Sequence, residues 1–207
     1  MTINNTSDAK SLYEAIAEDY DRHMEKTGHY AAQKRILDML ENKIQEPVLD
    51  LACGPGFILS NLAKKFPAVI ANDFSKPMVE LAIKKVGNKV IFYNFNAENI
   101  TLDTKFKTVL CSNLFYYIKN RPKALKAWAE LLSDKGKLIL IEECPFVPAE
   151  SEEMNPHRKK LMSVIDPLSL EQTIKILTDS GFTLEKQVST PIDKKHNLYG
   201  LIFEIKN

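Results

Sequence analysis

The chain reads as an α/β protein built on a doubly wound, mostly parallel sheet. Three observations predict it. The run Val48-Leu49-Asp50-Leu51-Ala52-Cys53-Gly54-Pro55-Gly56-Phe57 carries apolar residues into an acid and then two glycines two apart. That is the pattern of a buried parallel strand entering a tight turn. Seventeen residues past Gly56, a second apolar run, Ala68-Val69-Ile70-Ala71-Asn72, ends in Asp73. Finally, five strand–helix alternations give way to a terminal pair of strands, and such alternation winds helices over both faces of one sheet.

The elements follow in order. Leu12, Ile16 and Tyr20 fall four apart with Tyr13 and Ala17 beside them, which predicts a helix over 9–25. Ser7 or Asp8 can cap it. Ile36, Leu37 and Leu40 form the apolar stripe of a second helix, 29–43. Strand one is 47–51, and the helix after the glycine turn, 56–65, buries Ile58, Leu59 and Leu62. Strand two is 68–72. Ser75 caps the next helix, with Pro77 in its first turn, where a missing N–H is tolerated. Val90–Asn94 is strand three and leads into Asn96-Ala97-Glu98; strand four is 106–112. A helix over 121–133 carries Leu125, Trp128, Leu131 and Leu132 on one side, and Gly136 opens strand five, 137–142. Residues 143–168, with four prolines, read as irregular apart from a short helix near 153–164. A helix over 169–180 ends at Gly181, and strands 182–189 and 198–205 close the chain.

At 207 residues the chain fits one domain, 1–207: an N-terminal helical cap, 1–45, and a core, 46–207, with 143–168 as a substrate-lid insertion. Lys plus Arg total 28 against 27 Asp plus Glu, so no polyanion-binding surface is advertised and nucleic acid is not an expected partner. The clusters Lys84-Lys85, His157-Arg158-Lys159-Lys160 and Lys194-Lys195-His196 are short enough to be solvated faces. No stretch approaches the ~18 apolar residues of a membrane span. The N-terminus lacks the basic and apolar regions of a signal peptide, so cytoplasmic residence is expected. Cys53, Cys111 and Cys144 form no C-x-x-C pair, so no metal site is expected.

The glycine turn points to a ligand. Without Cβ atoms at Gly54 and Gly56 the backbone bends sharply and a ligand can lie against it. In nucleotide-binding βαβ units an acid roughly 20 residues on grips ribose hydroxyls, and Asp73 stands there. A dinucleotide fingerprint needs a third small residue where this chain has Leu59, and no phosphate-cradling G-x-x-x-x-G-K-[ST] is present. Asp50 would repel a pyrophosphate but suits an ammonium. S-adenosylmethionine has an ammonium, a sulfonium, a ribose and no phosphate.

Asp50-Leu51-Ala52-Cys53-Gly54-Pro55-Gly56 resembles motif I of the class I S-adenosylmethionine-dependent methyltransferases, and Asn72-Asp73-Phe74-Ser75-Lys76-Pro77-Met78 resembles the acidic-ribose motif that follows it. Tyr13–Asp21 is similar to the N-terminal helix of small-molecule members of the ubiquinone and menaquinone type, where that helix lies over the cofactor. The resemblance covers roughly 11–205 and implies sheet order 3-2-1-4-5-7-6 with strand seven antiparallel, which the element count fits. It implies S-adenosylmethionine as cofactor. The backbone at Ala52, Gly54 and Gly56 would line its methionine end and Asp50 would bind its ammonium. Asp73 would take both ribose hydroxyls. Phe74 and Met78 would flank adenine, with plain core packing the alternative for Met78. Asn96-Ala97 stands where the family usually shows Asp-Ala; Asn96 can still accept from the adenine amino group through its carbonyl oxygen. Asn113 would offer its backbone carbonyl to the ammonium. Phe106-Lys107 departs from the family's Phe-Asp, far from the crevice.

Methyl transfer is an in-line displacement, and a general base is needed only if the nucleophile arrives protonated. The candidates are Tyr20, Glu143 and His157, with Glu142 and Tyr117 behind them; for His157 the alternative is a surface histidine. Tyr13, Tyr116 and Tyr117 are the expected acceptor-pocket walls. Ser112-Asn113-Leu114-Phe115 lacks the two prolines of the Asn/Asp/Ser-Pro-Pro-aromatic motif. With near-zero charge this argues against a nucleic acid and for a small-molecule acceptor. Three alternatives stay open: a protein acceptor, a non-catalytic cofactor-binding protein, and a nicotinamide oxidoreductase, the last weakened by Leu59 and Asp50.

Overall fold

A computed structural model describes residues 5–146 and 161–206, with side chains from residue 9. Two helices, α1 (Asn5–Lys26) and α2 (His29–Leu40), precede the first strand. Then β1 (Val48–Asp50), α3 (Phe57–Lys65), β2 (Val69–Asn72), α4 (Lys76–Val86) and β3 (Ile91–Tyr93) alternate. They are followed by β4 (Phe106–Ser112), α5 (Arg121–Leu131), β5 (Leu132–Glu143), α6 (Leu170–Asp179), β6 (Phe182–Pro191) and β7 (Asn197–Ile205). The sheet order is β3-β2-β1-β4-β5-β7-β6. β1 to β5 pair in parallel, and β7 runs antiparallel to both β5 and β6.

Successive strand residues point to opposite faces, so each strand feeds two cores. Val48, Leu110 and Ile139 pack under α2 and α3 with Ile36, Leu40 and Leu59. Leu49, Val109 and Leu138 pack on the other face with Leu125, Trp128 and Leu177 from α5 and α6. Buried Trp128 donates its Nε1–H to the Ala97 carbonyl at 2.9 Å, tying α5 to the turn after β3. A Cβ at Gly200 would fall 2.7 Å from Ile36 and 2.9 Å from Leu40, so glycine there lets α2 lie directly on β7. Ser75 and Ser169 cap α4 and α6 through their hydroxyls, the latter in a reciprocal box with Gln172.

Several boundaries differ from the sequence expectation: α1 begins at Asn5, which puts Ser7 and Asp8 inside the helix and not at its cap. α2 stops at Leu40 and a single 3-10 turn, Glu41–Lys43, finishes the segment. β5 begins at Leu132, paired with Phe106, and slips register before Thr108 meets Lys137. The α5 stripe therefore ends at Leu131, and Leu132 belongs to the sheet.

Of the proposed 143–168 lid, residues 147–160 lie outside the described residues, and His157 with them. The segment returns as a helical turn at 161–164, and Val164 and Ile165 are buried against Leu12 and Tyr116. Arg121, itself buried, clamps it: Nη1 donates to Asp166 Oδ2 and Nη2 to the Asp166 carbonyl, both at 2.7 Å. Among the described residues no helix is long and apolar enough to cross a membrane.

Candidate functional site

Sheet order reverses between β1 and β4, and in such sheets the crevice beyond the strands' carboxyl ends is where ligands sit. A cavity of about 1060 Å³, counting its open mouth, occupies that place. It lies under α1 and is lined by the turns after β1, β2, β3 and β4.

Asp50 ends β1 beneath this cavity. It is 1% exposed, and neither carboxylate oxygen has a hydrogen-bond partner among the described residues. Burial and the neighbouring Asp73 charge push its pKa up to about 7, against a weaker pull from the Ala52 backbone N–H, which is near but outside hydrogen-bond geometry. Gly54 lines the cavity with φ +50, and a Cβ there would meet nothing within 4 Å. Gly56 does something else. Its φ is +90 and a Cβ would fall 3.0 Å from Ala82, so its missing side chain lets α3 approach α4. The expectation that Gly56 lies against the ligand gives way to this packing role.

Asp73 holds the turn together. Its Oδ2 accepts from Gly54 N–H at 2.8 Å and its Oδ1 from Ser75 N–H at 2.9 Å. Burial nonetheless raises its pKa to about 6. Asn72 braces it from behind: Nδ2 donates to the carbonyls of Leu51 (3.0 Å) and Phe95 (3.1 Å), while Oδ1 accepts from Phe95 N–H at 2.9 Å. Sequence reasoning missed this brace, although a polar residue inside an apolar strand end was its signal.

Phe74, Met78, Asn96, Ala97 and Ala52 all line the cavity. Met78 is 1% exposed, so it serves wall and core together. Lys10 of α1 sits 4.9 Å over the Phe74 ring. Asn96 Oδ1 already accepts from Glu98 N–H at 2.9 Å, capping its own turn. Asn113 follows β4 with φ +48; its N–H donates to Ile141 O at 2.9 Å and its Oδ1 is buried with no partner.

Tyrosines close the far side. Tyr13 and Tyr20 from α1 and Tyr117 after β4 line the cavity. The Tyr13 and Tyr117 hydroxyls are hydrogen-bonded at 2.6 Å, and the Tyr13 ring lies 5.8 Å from Tyr20 and 5.6 Å from Tyr117. Burial, reinforced by nearby carboxylates and the tyrosines themselves, pushes the Tyr13 and Tyr20 hydroxyls well above their usual range. Burial raises Tyr117 too, against the bond from Tyr13. At neutral pH these groups are uncharged.

Five expected site residues are not in the described cavity wall: Asp50, buried beneath it, Gly56, Tyr116, Glu143 and Glu142. Tyr116 is buried in the small core with Leu12, Val164 and Ile165, its ring 4.8 Å from that of Tyr117, which reaches the cavity. Glu143 lies behind the wall with Oε1 2.9 Å from His29 Nε2, and Thr27 Oγ1 is 2.7 Å from the other ring nitrogen. Glu142 is spent on the turn: Oε1 accepts from the N–H groups of Leu114 and Phe115, each at 2.9 Å. Conversely, sequence reasoning missed Tyr30, Phe57 and Gln33, which line the cavity. Tyr30 and Phe57 stack at 4.0 Å and 3°. A glutamine on the buried stripe of α2 was the available clue.

The donor set fits S-adenosylmethionine. A buried, unpartnered carboxylate calls for a cation, and Asp73 keeps lone pairs for a diol. Lys10 is the one Lys or Arg among the described lining residues, which leaves little to hold a polyphosphate. Among the described residues no cluster of His, Cys, Asp or Glu is arranged to hold a metal ion.

Comparison with known proteins agrees. A family model described as a methyltransferase domain matches residues 48–136. A demethylmenaquinone methyltransferase of Thermotoga maritima is 25% identical, covering 84% of this chain and 87% of the relative. A malonyl-[acyl-carrier protein] O-methyltransferase of Bacillus cereus is 26% identical, covering 66% of this chain and 52% of the relative, so the chain matches about half of that protein's length. The magnesium protoporphyrin IX methyltransferase of Synechocystis, solved with bound S-adenosylhomocysteine, shares the fold at TM-score 0.73 and 18% identity, covering 99% of this chain and 100% of the other. By its methyltransferase-domain match over residues 48–136, its methyltransferase relatives and its sheet order, the chain is similar to the class I S-adenosylmethionine-dependent methyltransferases.

Proposed function

We propose that this methyltransferase acts on a small molecule, with the acceptor held beneath α1 beside the tyrosines. The observation that carries the reading is the enclosure. The space next to the glycine turn is roofed by a helix and walled by Tyr13, Tyr20 and Tyr117, which suits a compact apolar or aromatic acceptor. An open basic groove, as a nucleic acid needs, is not what these residues build. The demethylmenaquinone methyltransferase likeness supports the same class.

S-adenosylmethionine supplies a methyl group on a sulfonium, activated and with a neutral leaving group. The chain's own residues bind and align. The Asp50 carboxylate takes the ammonium, and the Gly54 turn lets the backbone approach. Asp73 accepts the ribose hydroxyls while keeping its bonds to Gly54 and Ser75. Phe74 and Met78 flank the base, and Asn96 accepts from its amino group. The tyrosine hydroxyls, held neutral by burial, donate hydrogen bonds and exclude water rather than taking a proton. Residues 1–207 act as one domain, with α1 and α2 as its cap.

The test is S-adenosylhomocysteine formation, followed by mass spectrometry, with a panel of small aromatic amines, phenols and quinols against protein and RNA extracts. Turnover with a small molecule is the expected result. Turnover confined to a macromolecular fraction contradicts the reading.

A further inference from the structure

Glu143 ends β5 with its side chain only 4% exposed. His29, the first residue of α2, is the one hydrogen-bond partner of its carboxylate among the described residues, with Nε2 2.9 Å from Oε1. The other ring nitrogen, Nδ1, stands 2.7 Å from Thr27 Oγ1. None of the three side chains lines the cavity, so the methyl-transfer site does not account for them. A buried carboxylate is kept by pairing it, and breaking the pair is costly because the remaining charge is stranded.

The pattern of donors sets the character of this chain of groups. An ionised carboxylate only accepts, so Nε2 carries a proton. Thr27 has a single hydroxyl proton. Its oxygen lies 2.9 Å from the His23 carbonyl and 3.4 Å from that of Met24, both in the last turn of α1. Donated there, as a back-bond to the preceding turn, the proton leaves Oγ1 to accept from Nδ1–H, and the ring is doubly protonated. The carbonyl end of α1 beside it favours that cation. When the ring loses its Nδ1 proton, the hydroxyl has to turn and donate to the ring, and the side-chain tie on the end of α1 breaks. One hydroxyl therefore has two positions, and the charge of the ring selects between them.

We propose that Thr27, His29 and Glu143 form a proton-operated latch, which holds the end of α1, and with it the roof of the cavity, while His29 is a cation and loosens it when the ring becomes neutral. The latch is thus closed at low pH and lost as pH rises. Its place in the fold gives it leverage. α2 is fastened to the β6–β7 hairpin, where Arg35 Nε donates to Thr190 Oγ1 at 2.7 Å and Nη2 to the Pro191 carbonyl at 2.6 Å. Gly28, at φ +82, presses on the same hairpin, since a Cβ there would fall 3.0 Å from the Ile192 carbonyl oxygen. α1 hangs from that junction over the cavity. The other ionisable groups do not compete for the ring. Within electrostatic reach of Glu143, burial raises Glu142 to about 8 and Cys144 to about 12, and pushes Tyr20, Tyr116 and Tyr117 well above their usual range, so at neutral pH they are uncharged. On the hairpin, Asp193 and His196 pair with each other at 2.7 Å. His23, Glu25 and Lys26, in the last turn of α1, are exposed.

The experiment reads two signals from the ligand-free, full-length chain over one pH series. One is the pair of imidazole nitrogen shifts of His29, assigned by their loss in His29→Gln. The other is the hydrogen-exchange protection of residues 23–29 relative to that of β4, which cancels any change in global stability. Both ring nitrogens are expected to be protonated at the low-pH end. Relative protection is expected to fall about threefold or more as pH rises, with the same midpoint as the loss of the ring proton. Thr27→Val, which keeps the shape and lacks the hydroxyl, is expected to leave the ring titrating and to abolish the change in protection. Glu143→Gln removes the charge that favours the cation and is expected to move the ring's midpoint down by about one pH unit or more. A ring that is singly protonated throughout, different midpoints for the two signals, or a change in protection that survives in Thr27→Val overturns the proposal. An unmoved ring midpoint in Glu143→Gln overturns it too; if that variant does not fold, the wild-type midpoints and Thr27→Val still decide.

Discussion

Asp50 and Asp73 set the electrostatics of the site residue by residue. Both carboxyls have folded-state pKa values, about 7 and about 6, above the ~3.9 of an unfolded Asp. The folded protein thus binds more protons than the unfolded chain between about pH 4 and 7, so these groups make the ligand-free protein lose stability as pH rises through that window. A bound ammonium favours the ionised form. S-adenosylhomocysteine binding is therefore expected to release protons below pH 7 and to tighten as pH rises from 5 to 8. Calorimetry in buffers of different ionisation enthalpy measures this, and a pH-independent affinity with no proton exchange counts against Asp50 as the ammonium's partner. Asp73→Ala is expected to weaken the cofactor and also to lower the melting temperature, since it strands the N–H groups of Gly54 and Ser75 at about 1–3 kcal/mol each. Both acids were legible in the sequence because each ends a short apolar run beside a turn. The fate of Glu143 was not, because its partner His29 is 114 residues away and no local pattern encodes that pair.

Among the elements, α1 decides whether the cavity is enclosed. It is tied down by the Tyr13–Tyr117 bond, by Lys85 to Asp21 at 2.5 Å, and by Leu12 in the small core. Its amides are expected to exchange more slowly when S-adenosylhomocysteine is added, while those of β4 do not change; equal exchange in both states would make α1 plain core. Tyr13→Phe and Tyr117→Phe each remove the same bond, so the double variant is expected to lose little more stability than either single one. The periodicity of α1 was readable, and so was its place before the first strand. Tyr116 was misjudged against Tyr117 because the two rings touch, at 4.8 Å, and only the backbone path decides which of them reaches the cavity. Gly200 was invisible as a packing position for the same reason: the nearness of Ile36 and Leu40 comes from how α2 docks. Gly200→Ala is expected to destabilise the fold by about 1–3 kcal/mol in denaturant titration.

At the scale of the whole molecule, alternation of apolar runs with amphipathic stretches was enough to anticipate a doubly wound sheet. The reversed β7 followed from the resemblance and agrees with the observed order. Half the cavity, the part made by strand ends, was foreseeable because strand ends are local. The other half comes from α2 and α3, where Tyr30, Phe57 and Gln33 meet through tertiary packing alone. The central claim joins these halves: an S-adenosylmethionine site anchored on Asp50 at the reversal of strand order. Calorimetric titration of S-adenosylhomocysteine and of NADH into the wild-type chain and into Asp50→Asn tests it most directly. The account predicts that S-adenosylhomocysteine binds the wild type, that Asp50→Asn weakens it about tenfold or more, and that NADH does not bind. Undiminished affinity in a folded Asp50→Asn variant, or binding of NADH in place of S-adenosylhomocysteine, would contradict it.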